Sequence, residues 1–155
     1  MFTETDEKMM RFALEEARIA LHEGEIPVGA VIANGDILLA RAHNTRERDK
    51  DPIGHAEINV IREAAKKMGR WRLNNLTMYV TLEPCPMCAG AIQMSGMKRL
   101  VYGARDERYG CAGSVYRITE DPAFQNYCPA DGGLYEDEAA QLLSEFFKSL
   151  RLRGE

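Results

Sequence analysis

Thr81-Leu82-Glu83-Pro84-Cys85-Pro86-Met87-Cys88-Ala89-Gly90-Ala91-Ile92-Gln93-Met94 is the stretch on which the reading of this chain turns. Two of the four cysteines stand in it as Cys-x-x-Cys behind a proline. The apolar run at 76–82 reads as a buried strand, and residues 87–94 read as a helix. The cysteines therefore sit at a strand-to-helix junction. About thirty residues upstream, His55-Ala56-Glu57 opens a second helical pattern. Two thiolates and one imidazole make three ligands, which leaves the fourth position of a catalytic zinc open for water. Other readings of the same residues are a redox dithiol, half of a four-cysteine structural zinc site, or a histidine that only caps its helix. Cys111 and Cys128 are not spaced as a second Cys-x-x-Cys, which counts against the four-cysteine site.

Working outward, residues 55–68 carry Ile58, Ile61, Ala64 and Ala65 on one helical face, with Gly69 as the stop. Side chains two apart diverge on a helix, so His55 and Glu57 can serve one site only where the chain enters the helix. The positive end of the helix dipole favours Glu57 as a carboxylate, near the metal without being a ligand. Upstream, residues 6–22 are spaced as an amphipathic helix and residues 26–33 as a strand with Pro27 at its start. Asn34-Gly35 signals a two-residue hairpin into a return strand over 36–42. His43-Asn44 closes that strand, and the charge-rich loop 45–52 leads to His55. Asn44 either reaches a heterocyclic edge in the pocket or caps the turn.

Downstream, Arg70-Trp71-Arg72 is a base-stacking platform if exposed and core if buried; the pattern favours core. Residues 98–103 read as a strand, and 119–135 are turn-rich. A last helix over 136–152 presents Ala139, Leu142, Leu143, Phe146, Phe147 and Leu150 as a buried stripe. Strands alternating with helices after a hairpin imply an α/β layered fold with a mixed sheet. The cysteines fall at the carboxyl end of the 76–82 strand, where open α/β sheets place ligands.

At 155 residues the chain fits a single domain over 1–155 with a substantial core. No apolar run approaches the roughly 20 residues of a membrane span, and the acidic N-terminus is unlike a signal peptide. Four cysteines, two of them in a metal-like motif, suggest a reducing compartment, with cytoplasm as the default. The net charge of −4 is unevenly divided. Residues 41–108 hold 13 Lys/Arg against 8 Asp/Glu, and the remainder 7 against 16. The segment with both motifs is thus the basic one, suited to attract phosphates locally.

His55-Ala56-Glu57 with Pro84-Cys85-Pro86-Met87-Cys88 resembles the cytidine/deoxycytidylate deaminase superfamily. The chain is most similar within it to the bacterial tRNA-specific adenosine deaminases. The likeness extends through 25–31, Asn44, Asp51-Pro52, 79–83, 103–106, Gly113-Ser114 and 143–147, nearly the whole chain. It implies a three-layer α/β/α cytidine-deaminase-like fold with about five strands in a mixed sheet. It further implies a homodimer, one Zn2+ per chain, and hydrolysis of adenosine to inosine at the wobble position of the tRNA anticodon arm. Carried onto this sequence, the pattern makes His55, Cys85 and Cys88 the zinc ligands and Glu57 the proton shuttle. Asn44 and the backbone of Ala56 hold the base, with Ile26 and Pro27 as its apolar wall. The family usually has a basic, β-like stretch before the last helix; here 126–133 read Asn-Tyr-Cys-Pro-Ala-Asp-Gly-Gly. Pro129 removes a ladder donor, which argues against a fifth strand there or limits it to an edge. That departure and the sparsely basic tail leave a second substrate class open: a free base or nucleoside such as guanine, or another aminated heterocycle. A noncatalytic zinc-stabilised binding module is a third reading, against which the intact Glu57 argues.

Overall fold

Five strands form one sheet in the order β2-β1-β3-β4-β5 in the computed structural model, which describes residues 1–154. A two-residue turn reverses β1 (Gly29–Asn34) into β2 (Ile37–His43), so that pair is antiparallel. β1 is also antiparallel to β3 (Thr77–Leu82). From β3 the chain crosses through α4 (Pro86–Ser95) to β4 (Arg99–Ala104), and a helical crossover of this kind returns the next strand parallel. The sheet is mixed for that reason.

Helices cover both faces. On one, α1 (Glu4–His22) and α5 (Glu136–Leu152) bury Met9, Met10, Ala13, Leu142 and their neighbours against Val31, Ala33, Tyr79 and Val101. On the other, α3 (Ala56–Met68) and α4 bury Val60, Ala64 and Ile92 against Ala30, Ile32, Met78, Val80 and Leu100. With both faces covered, the central strands are buried at nearly every position rather than at every second one. Each fully buried large side chain contributes about 1.5–3 kcal/mol. The α/β/α expectation holds.

Two polar devices fix the layers. Asp6 closes a capping box with Thr3 at the start of α1, and its Oδ1 also accepts from Tyr79 Oη at 2.8 Å and Arg99 NH1 at 2.8 Å. One buried carboxylate thereby ties α1 to β3 and β4. Burial raises the Asp6 pKa, but the hydrogen bonds from Arg99, the Thr3 N–H and Tyr79 outweigh it and hold the carboxyl below its usual value. At Gly29, a Cβ would collide with the backbone of Ala13 and Ala17, so glycine sets how closely α1 lies on β1.

Several expectations shift. The first helix begins at Glu4, two residues early, because the Thr3–Asp6 box supplies its start. β1 begins at Gly29; Ile26, Pro27 and Val28 precede it as extended chain. The hairpin turn is Gly35-Asp36 in place of Asn34-Gly35, with Asn34 still paired to Ile37 and a bulge between Ile32 and Ala33. The loop after Asn44 contains a one-turn helix, α2 (Arg46–Asp49). Trp71 is not core; it is 67% exposed. The stripe of α5 is narrower than its sequence suggests: Ala139, Leu142 and Phe146 are buried, while Phe147 is exposed. β5 (Ala130–Gly132) does form, as a three-residue edge parallel to β4. Pro129 stands just outside it and contributes only its carbonyl, to Leu100 N.

Candidate active site

Two helix N-termini meet at the carboxyl end of β3. His55 is the N-cap of α3, and Cys85 is the N-cap of α4, with Cys88 in its first turn. N-caps are usually Ser, Thr, Asp or Asn, whose side chains bond back to the helix. Neither His55 nor Cys85 makes such a bond. Their side chains converge instead: His55 Nδ1 lies 3.7 Å from Cys85 Sγ and 3.5 Å from Cys88 Sγ. All three donor atoms lie within 4.8 Å of one another. A tetrahedral ion with bonds of about 2.3 Å to sulfur and 2.0–2.1 Å to nitrogen needs nitrogen and sulfur about 3.5 Å apart. The donor set and its spacing fit a metal ion, as the ligand reading expects, and the third ligand argues against a simple dithiol. Cys111 and Cys128 lie outside the cluster as buried free thiols.

The three side chains shift one another's protonation. The hydrogen bond with Cys88 holds the Cys85 thiol down to about 4, with His55 adding to the effect. The same bond, with burial and the nearby Glu57, pushes Cys88 up. His55 is raised, first by its contact with Cys85. Glu57, in the first turn of α3 and 4% exposed, is pushed up to about 7 chiefly by burial. A carboxyl with that pKa exchanges protons readily near neutral pH.

The cluster opens into a cleft of about 990 Å³. Ile26, Asn44, His55, Glu57 and Cys85 all line it, so most of the expected site converges. Pro27 is buried behind Ile26 and does not line the cleft, where Val28 does instead. Ala56 is wholly buried and does not line the cleft, unlike the expectation that its backbone holds the base. Asn44 takes the turn-capping reading and also lines the cleft. Its Oδ1 accepts the Arg46 N–H at 2.9 Å as a turn cap, leaving its NH2 as a donor for the cleft.

Sequence reasoning missed the rest of the wall: Arg46, Arg105, Arg108, Tyr109, Leu143 and Phe147. It also missed the carboxylates that hold those loops. Glu83, 2% exposed, accepts the N–H groups of Asp106 at 3.1 Å, Ala112 at 3.1 Å and Ser114 at 2.9 Å, and the Ser114 hydroxyl. Gly110 lies so close that any Cβ would run into this carboxylate. Across the cleft, Glu25, 1% exposed, accepts from Glu47 N at 3.0 Å and Arg48 N at 2.7 Å, pinning α2. A signal existed in each case, since an acid within an apolar junction must find donors. Its partners lie more than twenty residues away.

This fold and this convergence of His-x-Glu with Cys-x-x-Cys define a hydrolytic deaminase. The chain belongs to the MafB19-like deaminase family, whose model matches residues 4–151. It is similar to the tRNA-specific adenosine deaminase of Bacillus subtilis (strain 168), 44% identical over 146 residues that cover 94% of this chain and 91% of the relative. A solved structure from work on A-to-I editing by tRNA:A34 deaminases at the wobble position of transfer RNA superposes with a TM-score of 0.84. That structure is 40% identical, and the match covers 88% of this chain and 99% of the other. A guanine deaminase from Nitrosomonas europaea shares the fold at a TM-score of 0.80 and 24% identity, covering 90% of this chain and 83% of its own.

Proposed function

We propose that this chain hydrolyses adenosine to inosine at the wobble position of tRNA, with zinc held by His55, Cys85 and Cys88. Similarity to the Bacillus subtilis enzyme along nearly the whole of both chains carries the substrate choice. The cleft agrees with it in size: about 990 Å³ is roomy for a free base. Arg46 and Arg108, which form no ion pair among the described residues, stand on its walls beside Asp106 and Glu107 and suit phosphates.

When bound, zinc supplies a Lewis acid that lowers the pKa of a water molecule toward about 7. The chain's own groups do the rest. Asn44 donates from its NH2 to an acceptor nitrogen of the purine. Ile26 and Val28 pack on the ring. Glu57 takes a proton from the attacking water and delivers it to the ring nitrogen beside the amine-bearing carbon. A second transfer through the same carboxylate protonates the amine, the carbon–nitrogen bond breaks, and ammonia leaves. Oxygen from water ends on the ring carbon, so adenosine and water become inosine and ammonia.

Homodimerisation belongs to the same proposal, and sedimentation should give twice the chain mass. The four free thiols suit a reducing cytoplasm, and among the described residues no helix is long and apolar enough to cross a membrane. The deciding experiment measures ammonia release from an anticodon stem-loop bearing wobble adenosine, beside free guanine, adenine, cytosine and their nucleosides. Inosine in the stem-loop with the small molecules inert is expected. Turnover of a free base with the stem-loop untouched would overturn the substrate.

A further inference from the structure

Trp71 and the cations around it form a feature that the cleft does not use. The tryptophan is 67% exposed, with the Arg72 guanidinium 5.0 Å from its ring centre. Lys66 and Lys67 lie in the last turn of α3 and Arg70 just after it, the Lys67 amine donating to the Leu39 carbonyl at 2.7 Å. All four cations are exposed. None forms an ion pair among the described residues, whereas Arg41, Arg99 and Arg105 elsewhere do. Between Arg62 and Arg72 the only carboxylate is Glu63. A single exposed tryptophan is ordinary on a soluble protein. An unneutralised cluster of cations around one is a surface built for a polyanion with flat rings, because aromatic stacking and phosphate pairing act together. Its place is the far end of α3: thirteen residues at about 1.5 Å each separate it from His55 by roughly 20 Å.

We infer that this pole is a second RNA-binding surface, gripping the phosphate backbone of the substrate at nucleotides outside the cleft. The inference rests on the RNA reading above. Arginines pair with phosphates in a fork, and Trp71 offers its face to an unpaired base or a ribose edge. Neither contact reads the wobble base, so this pole adds affinity without changing the chemistry.

The test compares wild type with a triple variant, Arg70→Gln, Trp71→Ala and Arg72→Gln. Binding of full-length tRNA bearing wobble adenosine is followed by fluorescence anisotropy from about 50 to 200 mM salt. The variant should bind about tenfold more weakly at the lower salt. Its slope of log affinity against log salt should be shallower by roughly two, one for each arginine removed. Metal content and kcat at saturating tRNA should stay unchanged. Arg70→Glu alone, at a fully surface position, should repeat the loss with no risk to packing. Equal affinity and slope in wild type and both variants would overturn the proposal. So would retained RNA binding with lost binding to polyglutamate, which would assign the pole to an acidic protein. Binding is read here instead of turnover, so a wild type that makes no inosine would refute the wobble reading and still leave the slopes to decide this one.

Discussion

Glu57 is asked to be both acid and base within one turnover, and its environment suits that demand. Burial at the start of α3 lifts its pKa to about 7, so neither protonation state is costly near neutral pH. Glu57→Gln keeps the size and the hydrogen-bonding edge but cannot carry a proton. Zinc content should persist while ammonia release falls by at least about a hundredfold, the lower end of what proton transfer contributes. Elemental analysis beside a turnover assay checks this, and substantial residual activity would remove Glu57 from its role. Glu83 predicts a different signature, because it touches four loop donors and lies on the other side of the ligands. Glu83→Ala would leave those N–H groups buried and unpaired at about 1–3 kcal/mol each. We expect a lower melting temperature and a raised KM for the stem-loop, with kcat less affected. The four chemically central residues were legible in sequence because their spacing is local and each stands at a helix start. Glu25, Glu83, Leu143 and Phe147 were not, since their roles depend on chain brought in from far along the sequence.

At the scale of elements, the site exists because two helices start at one place. The dipoles of α3 and α4 both present their positive ends to the cluster, which favours thiolates there. The sheet keeps the two helices in register, and α1 holds the sheet from behind. Two predictions test that support. Gly29→Ala would drive a Cβ into the backbone of Ala13; overpacking of this kind costs about 1–3 kcal/mol or more, read by thermal or urea denaturation. Asp6→Asn would remove a carboxylate whose pKa is held low in the folded chain. Such a group stabilises the fold above its unfolded value of 3.8, and that contribution is lost as pH falls through the lower folded value. The variant should therefore be less stable than wild type at pH 7, and the gap should close as pH falls below about 4. A gap that persists undiminished at pH 2 would show that packing, not charge, carries the effect. Helix starts and the α/β alternation were readable from periodicity, whereas the bulge at Ile32/Ala33 was not.

For the whole molecule, the ligands join helices from two separate stretches, so the ion should act as a clasp as well as a cofactor. Chelation should abolish ammonia release, restored by zinc, and lower the melting temperature by an amount that grows with the zinc concentration of the loaded sample. An unchanged melting curve would reduce the ion to chemistry alone. Charge is arranged at the same scale: an acidic body carries a group of exposed cations, without ion pairs among the described residues, at the Trp71 pole. The sequence by itself marked out the three side chains that could hold a metal, the carboxyl beside them and the layered α/β class, and limited the last strand to an edge at most. Each is written in local spacing, helical period or the missing N–H of Pro129. Tertiary structure alone decided that Trp71 faces solvent, that Phe147 and Leu143 wall the cleft, and that Asn44 spends its acceptor on Arg46. It also decided that two buried glutamates, Glu25 and Glu83, hold the loops. Burial and hydrogen-bond partners are properties of distant chain brought together, and no local pattern encodes which distant chain arrives.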